Sequence, residues 1–551
     1  LSIMASGADN RMVRMKMEWN SLKEHASELA DTHLSRLFDE DPSRFERLHY
    51  RAGPLLLDLS KQRMTADTLD KLVALAEASD LREWTRRFFD GEEVNGTEAR
   101  AAMHWALRAP PGSAFVSPEV DRAVQEQLAR MERIVNQLHS GQWRGYSGEP
   151  ITDVVNIGVG GSDLGPLMVS RALEDFSSPC TGIMNVHFVS SMDGSQVSHL
   201  LRQLRPQTTL FIISSKSFTT VDTLYNANTA RKWMQTALGG DPAVVRCHFL
   251  AVSSAQDKVA EWGIDEDNRL SLWDWVGGRY SVWSSIGLPV AIRIGMSQFR
   301  EFLAGGHFMD RHFVEADWKV NLPVLMAMTG VWNTDVLGIH GHAILPYDGR
   351  LKYLPSYLEQ LEMESNGKSV TRDGEPVSER TCPILWGDVG PNAQHAFYQL
   401  LHQGTEPVTC DFIAPARRYH EDVHSSNAQE LVRQHELALA NCLAQSRLLA
   451  LGEAALPSGE QVPFYKRYRG NQPCTTLMME ELTPFSLGAL LAAYEHKVFT
   501  QAVIWRINPF DQWGVEMGKK IATSTLQAIR AGDDQGMDVS TSGLLSFIRN
   551  R

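Results

Sequence analysis

Glu364 interrupts an apolar stripe. In "LPSYLEQLEMESNGKSV", Leu354, Tyr357, Leu358 and Leu361 recur at helical spacing, and the next members of the stripe are Glu364 and Ser365. Burying an unpaired ionised carboxylate is costly, so its position needs a reason. The stripe could reach solvent there, or Glu364 could pair with Lys368 across the helix end marked by Asn366-Gly367. The third reading is catalysis.

Other stretches carry compatible chemistry. "SSKSFTTVDT", Ser214 to Thr223, has more hydroxyls than a helix cap needs, and one lysine. Hydroxyls, free helix-start amides and an ammonium together suit a phosphate monoester. "GVGGSDLGP", Gly158 to Pro166, begins like a dinucleotide fingerprint, but the third glycine position is Asp163, which demotes NAD binding. What remains is either a tight strand-to-helix turn or a backbone that approaches a polar ligand closely. Arg279 follows Gly277-Gly278 among three tryptophans in "LWDWVGGRYSVW" and is either stacked on aromatics or placed to stabilise an oxyanion. In "FDQWGVEMGKKIA", the spacing of Gln512 and Lys519 predicts one shared helix face. His395, at the start of a helix in "GPNAQHAFYQLLHQG", is structural or a proton carrier. "HEDVH", His420 to His424, matches the short zinc-peptidase pattern, but the extended form fails at Asn427 and Glu430 and the helix start falls at "SSN".

These residues must be positioned by something. From about 17 to 108 the chain reads as charged, amphipathic helix, ending at "APPGS". Short β-rich runs then alternate with helix-length segments: "DVVNIGVGG", "NVHFVSS", "TTLFIISS" and "CHFLAVSS", followed by "TCPILWGD", "EPVTCDFIAP" and "CTTLMMEEL". The pattern predicts an α/β protein with two doubly wound units, each a mainly parallel sheet covered by helices. Ligands gather at strand carboxyl ends in such sheets, where several of the stretches above begin. The tail after Arg530 has a polar start and reads as a surface arm, and residues 1 to about 12 as a loose leader.

Composition narrows the classes. The 551 residues exceed one ordinary core, and 43% are apolar. With 53 basic against 66 acidic residues the net charge is -13, which argues against nucleic acid as a partner while leaving room for one local anion site. Six scattered cysteines without a CxxC pair fit reduced thiols in the cytoplasm. No apolar signal core or membrane span is evident.

Taken in order, "GVGGSDLGP", "SKSFTT", "WDWVGGRYS", "MESNGK", "QHAFYQLLHQG" and "FDQWGVEMGK" closely resemble the glucose-6-phosphate isomerase family, from about "LLLDLSKQRMT" to "EMGKKIA". The resemblance implies two sugar-isomerase-type domains: residues 119–292, and residues 17–118 with 293–529, followed by an arm over 530–551. It implies a homodimer, no cofactor and no metal, and interconversion of glucose 6-phosphate and fructose 6-phosphate through a cis-enediol in glycolysis and gluconeogenesis. Glu364 would be the base, Arg279 would stabilise the enediolate, and His395 and Lys519 would open the ring, with His395 reaching in from the partner subunit. Ser215, Lys216, Ser217 and Thr220 would hold phosphate, Gly161 and Ser162 would line the substrate, and Gln360 and Gln512 would contact the substrate or its phosphate. Asp222 stands where the family usually has a glutamate that orients the histidine, and Pro391 and Ala393 replace Thr and Gly near His395. Two other classes compete: a sugar-phosphate-binding regulator without turnover, and the peptidase suggested by "HEDVH".

Overall fold

The computed structural model describes residues 2–177, 184–418, 426–457 and 461–551, with 2–6 as backbone only. Two compact units result, residues Leu1–Pro509 and Phe510–Arg551.

All seven β-rich runs become strands of the first unit. Among the described residues it has eleven: β1 (His49–Ala52), β2 (Leu55–Asp58), β3 (Asp153–Ile157), β4 (Asn185–Val189), β5 (Thr209–Ser214), β6 (Phe249–Val252), β7 (Arg269–Leu270), β8 (Gly341–Pro346), β9 (Ile384–Gly387), β10 (Val408–Arg417) and β11 (Cys474–Glu481). One sheet has the order β4-β3-β5-β6-β7 and is parallel throughout. Every residue of β5 is buried, as a strand covered by helices on both faces requires. From β3 the chain crosses to β4 on one side, while β5 lies on the other, so the strand order reverses between the carboxyl ends of β3 and β5.

The other sheet has the order β1-β2-β11-β10-β8-β9, with β8 to β11 parallel. Its order reverses between β8 and β10. The crossover from β8 to β9 contains the helix Leu354–Glu359 and a π-helical turn, Gln360–Glu364.

Two expectations for the N-terminal region fail. The helix Ser2–Leu29 runs through the supposed leader, and the supposedly all-helical region contains the hairpin β1–β2, which adds to β11 through antiparallel pairing. Gly53, in the left-handed region at φ 53°, makes the turn before Pro54 that lets "LLLD" pair back.

The helix Pro484–Trp505 is buried along almost its whole length and crosses the helix Met296–Glu315 closely. A Cβ on Gly488 would lie 2.1 Å from the Phe302 carbonyl oxygen, so that crossing requires glycine. The second unit pairs the helices Glu516–Ala531 and Val539–Arg549 through a turn at Gly532, whose carbonyl accepts from Arg549 Nη1 at 2.7 Å. Within it Trp513, Met517, Ile521, Val539, Leu544 and Phe547 are exposed. No described helix is long and apolar enough to cross a membrane. Cys247, Cys382, Cys410, Cys442 and Cys474 are free thiols, and Cys180 lies outside the described residues.

Candidate active site

The two glycine motifs, more than a hundred residues apart, meet backbone to backbone. A Cβ on Gly161 would lie 1.9 Å from the Gly278 carbonyl oxygen and 2.7 Å from the Arg279 nitrogen. No other residue fits there. Gly160, in the left-handed region at φ 55°, turns the chain after β3, and a Cβ on it would lie 3.2 Å from Gln360 Nε2. Asn156 on β3 fixes the turn from below: its Nδ2 donates to the Ser162 carbonyl at 3.0 Å, and its Oδ1 accepts from Ser214 at the end of β5 at 2.8 Å. Asp163, where a dinucleotide fingerprint needs glycine, is buried, and burial pushes its carboxyl up to about 6 against an opposing hydrogen bond with Ser190.

Glu364 closes the π-helical turn with its side chain half-buried, while Leu354, Tyr357, Leu358 and Leu361 of its stripe are fully inside. Its two oxygens have different partners. Arg279 Nη1 lies 3.2 Å from Oε1, and Gln360 Nε2 donates to Oε2 at 3.1 Å. Among the described residues Glu364 has no ion pair with Lys368, whose Nζ donates to the carbonyls of Ser365 at 2.9 Å and Asn508 at 2.7 Å. The Arg279 guanidinium is buried and donates from Nε to Ser365 Oγ at 2.6 Å and from Nη2 to the Pro509 carbonyl at 2.5 Å. A fixed cation and a carboxylate are thus held together with spare acceptor capacity on the carboxylate.

The hydroxyl-rich loop follows β5 and opens the helix Val221–Leu238, with Thr220 at its N-cap position. Ser215 and Thr220 join their hydroxyls at 3.0 Å, and Thr219 donates to Ser217 at 2.8 Å. Ser217 and Thr219 are exposed, whereas Phe218, left-handed at φ 52°, anchors the loop inside. Lys216 reaches sideways: its Nζ donates to the carbonyls of Val276 at 2.8 Å and Asp274 at 3.2 Å. Burial, with Arg100 nearby, lowers its pKa. The ammonium therefore ties the loop to the segment that delivers Arg279, a role the sequence does not suggest.

Asp222 sits half-buried in the first turn of the helix Val221–Leu238. His395 is exposed in the turn after the helix Gly390–Ala393 rather than at a helix start, where Pro391 fits the first helical turn and Ala393 is buried. Among the described residues no hydrogen bond or ion pair joins His395 or Asp222 to Arg279 or Glu364. In the second unit, Gln512 (φ -150°, ψ 49°) precedes a short 3-10 turn, Trp513–Val515, and only Lys519 lies on the helix Glu516–Ala531. The shared helix face predicted for them does not form, because the chain does not become α-helical until Glu516. Lys519 is exposed, 3.5 Å from Glu516. "HEDVH" lies outside the described residues, and among those described no group of three His, Cys, Asp or Glu side chains could hold a metal ion.

A two-sheet α/β chain whose strand-end loops join an arginine–carboxylate pair to a hydroxyl-rich turn belongs to the class of proteins built to hold a small polar ligand. The comparisons give the family within that class. Residues 58–545 match the phosphoglucose isomerase family model. A glucose-6-phosphate isomerase from Acinetobacter venetianus is 56% identical over 535 residues, 96% of each chain, and the glucose-6-phosphate isomerase 2 of Chromohalobacter salexigens is 54% identical, covering 98% of this chain and 99% of its own. The crystal structure of a Chlamydia trachomatis glucose-6-phosphate isomerase superposes with a TM-score of 0.83 at 30% identity, over 97% of this chain and 98% of that one. The chain belongs to the phosphoglucose isomerase family.

Proposed function

We propose that the protein interconverts D-glucose 6-phosphate and D-fructose 6-phosphate, an aldose-ketose isomerisation of glycolysis and gluconeogenesis. The observation that carries the reading is the Arg279–Glu364–Gln360 cluster beside the Gly160–Gly161 turn. The reaction moves one hydrogen from C2 to C1 and one from O2 to O1, so oxidation at one carbon is balanced by reduction at its neighbour, and no external redox partner is needed. Glu364 takes the C2 proton of the open-chain sugar and returns it to C1 of the cis-enediol. Arg279 stabilises the negative charge that develops on the enediolate oxygens, and its buried, hydrogen-bonded guanidinium needs little reorganisation to do so.

Ser215, Ser217 and Thr220 hold the phosphate with the loop's amides. Lys216 supplies charge from its tethered position, Gly161 and Ser162 line the substrate, and Gln360 and Gln512 contact the substrate or its phosphate. His395 and Lys519 move the proton between the ring oxygen and O1, with Asp222 orienting His395. Two subunits assemble, each receiving His395 from the other. The domain division is 119–292 against 17–118 with 293–529, followed by the arm over 530–551. The enzyme works in the cytoplasm. The test is conversion of fructose 6-phosphate to glucose 6-phosphate by the purified protein, with and without a chelator. Rapid, chelator-resistant conversion supports the reading. Phosphosugar binding without conversion would leave a binding protein.

A further inference from the structure

Arg279 is the outermost member of a buried polar chain that the reaction as described does not use. Its Nε donates to Ser365 Oγ at 2.6 Å, and the Tyr280 hydroxyl lies 2.7 Å from the same oxygen. The Tyr280 ring stacks on His104, with centroids 4.5 Å apart and planes within 17°. His104 Nε2 lies 3.8 Å from Glu495 Oε1, and Glu495 accepts from Arg108 at 2.5 Å and from the Trp283 indole at 2.8 Å. Arg108 is in turn held by both oxygens of Asp310, at 2.6 and 2.7 Å. All of these side chains are buried, and Ser365 is completely so. Burial, with Arg108 nearby, pushes the His104 pKa well down and leaves the imidazole neutral, which suits a flat stacking surface more than a charge carrier.

A guanidinium can rotate about its last bonds unless its edge is pinned. One edge of Arg279 is pinned by the Pro509 carbonyl and Nε by Ser365, leaving Nη1 directed at Glu364. We infer that Ser365 and Tyr280 are positioning residues that together set the plane of Arg279: Ser365 accepts from its Nε, and Tyr280, braced on His104, hydrogen-bonds Arg279 directly and fixes the Ser365 hydroxyl. The geometry is preorganised before any negative charge appears, so the pair contributes chiefly to the transition state. The inference rests on the proposed isomerase reading, in which Arg279 meets the enediolate.

The test compares Ser365→Ala, Tyr280→Phe and the double variant with the parent and with Glu364→Gln. Read out are kcat, KM for fructose 6-phosphate, melting temperature, and affinity for a sugar-phosphate hydroxamate, a planar anionic mimic of the enediolate. For Ser365→Ala, kcat and hydroxamate affinity should each fall about tenfold at a KM within about twofold. Tyr280→Phe, which keeps the ring and its stacking, should show the same split to a smaller degree. Adding it to Ser365→Ala should lower kcat and hydroxamate affinity further, because Tyr280 also hydrogen-bonds Arg279 itself, but by less than the product of the two single losses, because both residues share the Ser365 hydroxyl. If these variants lower only the melting temperature, with kcat and hydroxamate affinity at parent values, the inference is overturned while the isomerase reading stands. A parent without turnover, or a Glu364→Gln variant with normal turnover, would instead remove the reading beneath it.

Discussion

Among the described residues the chain widens a helix into a π turn in two places, and both turns carry a carboxylate that the sequence alone cannot rank. In Gln360–Glu364, Glu364 is half-buried between Arg279 and Gln360. In Trp332–Val336, Asp335 faces the Trp505 indole, which donates to its Oδ2 at 2.7 Å, and no cation pairs with it among the described residues. Desolvation pushes the Asp335 carboxyl up to about 8, with the hydrogen bond from Trp505 opposing it. The same local device thus serves two ends. A π turn re-aims a side chain, but what the side chain can do depends on the partner supplied from elsewhere in the fold.

Replacing Glu364 breaks this comparison most severely. Glu364→Gln keeps the shape and an acceptor for Arg279 but cannot carry the C2 proton, so kcat should fall on the order of 10³-fold or more. Inhibitor binding and melting temperature should change little, and near-normal turnover would refute the assignment. His395→Ala comes next. An exposed side chain without a described partner contributes little to stability, so its loss should leave the melting temperature unchanged. Turnover of the cyclic hexose phosphate should fall about a hundredfold, while deuterium exchange at C2 of a tetrose phosphate, which cannot close a ring, should persist. Equal losses in both assays would place His395 outside ring opening.

Lys216→Ala separates attachment from substrate contact. Its ammonium ties the loop to Asp274 and Val276, so the variant should lose melting temperature as well as phosphosugar affinity, with KM for fructose 6-phosphate rising about tenfold. Lys216→Met keeps the stem without the charge and should recover part of the stability but none of the affinity. Equal weakening of free and phosphorylated sugars would count against the loop as the phosphate holder.

Much of this was legible because it is local. The seven β-rich runs, the broken stripe at Glu364 and the loop ahead of Val221 are all set by periodicity or caps. What was illegible is long-range. "GHAILP" becomes β8 only through pairing with β9 and β10, and its flanking Gly341 and Pro346 disguise it. The contact of Gly161 with Gly278 and the tether from Lys216 to Val276 join segments whose spacing says nothing of their meeting. Ser365 and Tyr280 are ordinary residue types until Arg279 is seen between them and Glu364. For Gln512 and Lys519, helical spacing misled because the chain passes through a 3-10 turn first.

Asp335→Asn should have the smallest effect on turnover. An unfolded aspartate titrates at about 4, whereas burial pushes this one up to about 8 in the fold. Between those values the native state holds a proton that the unfolded chain has lost. Stability is therefore fully present below about pH 4, falls as pH rises through the interval, and levels off above about 8. Asparagine keeps an acceptor for the Trp505 indole and removes the titration. The variant should melt with the parent near pH 4 and above it near pH 9, and a difference independent of pH would show that Asp335 does not carry this dependence. Isomerase turnover at neutral pH should match the parent, because among the described residues no guanidinium pairs with this carboxyl as Arg279 pairs with Glu364.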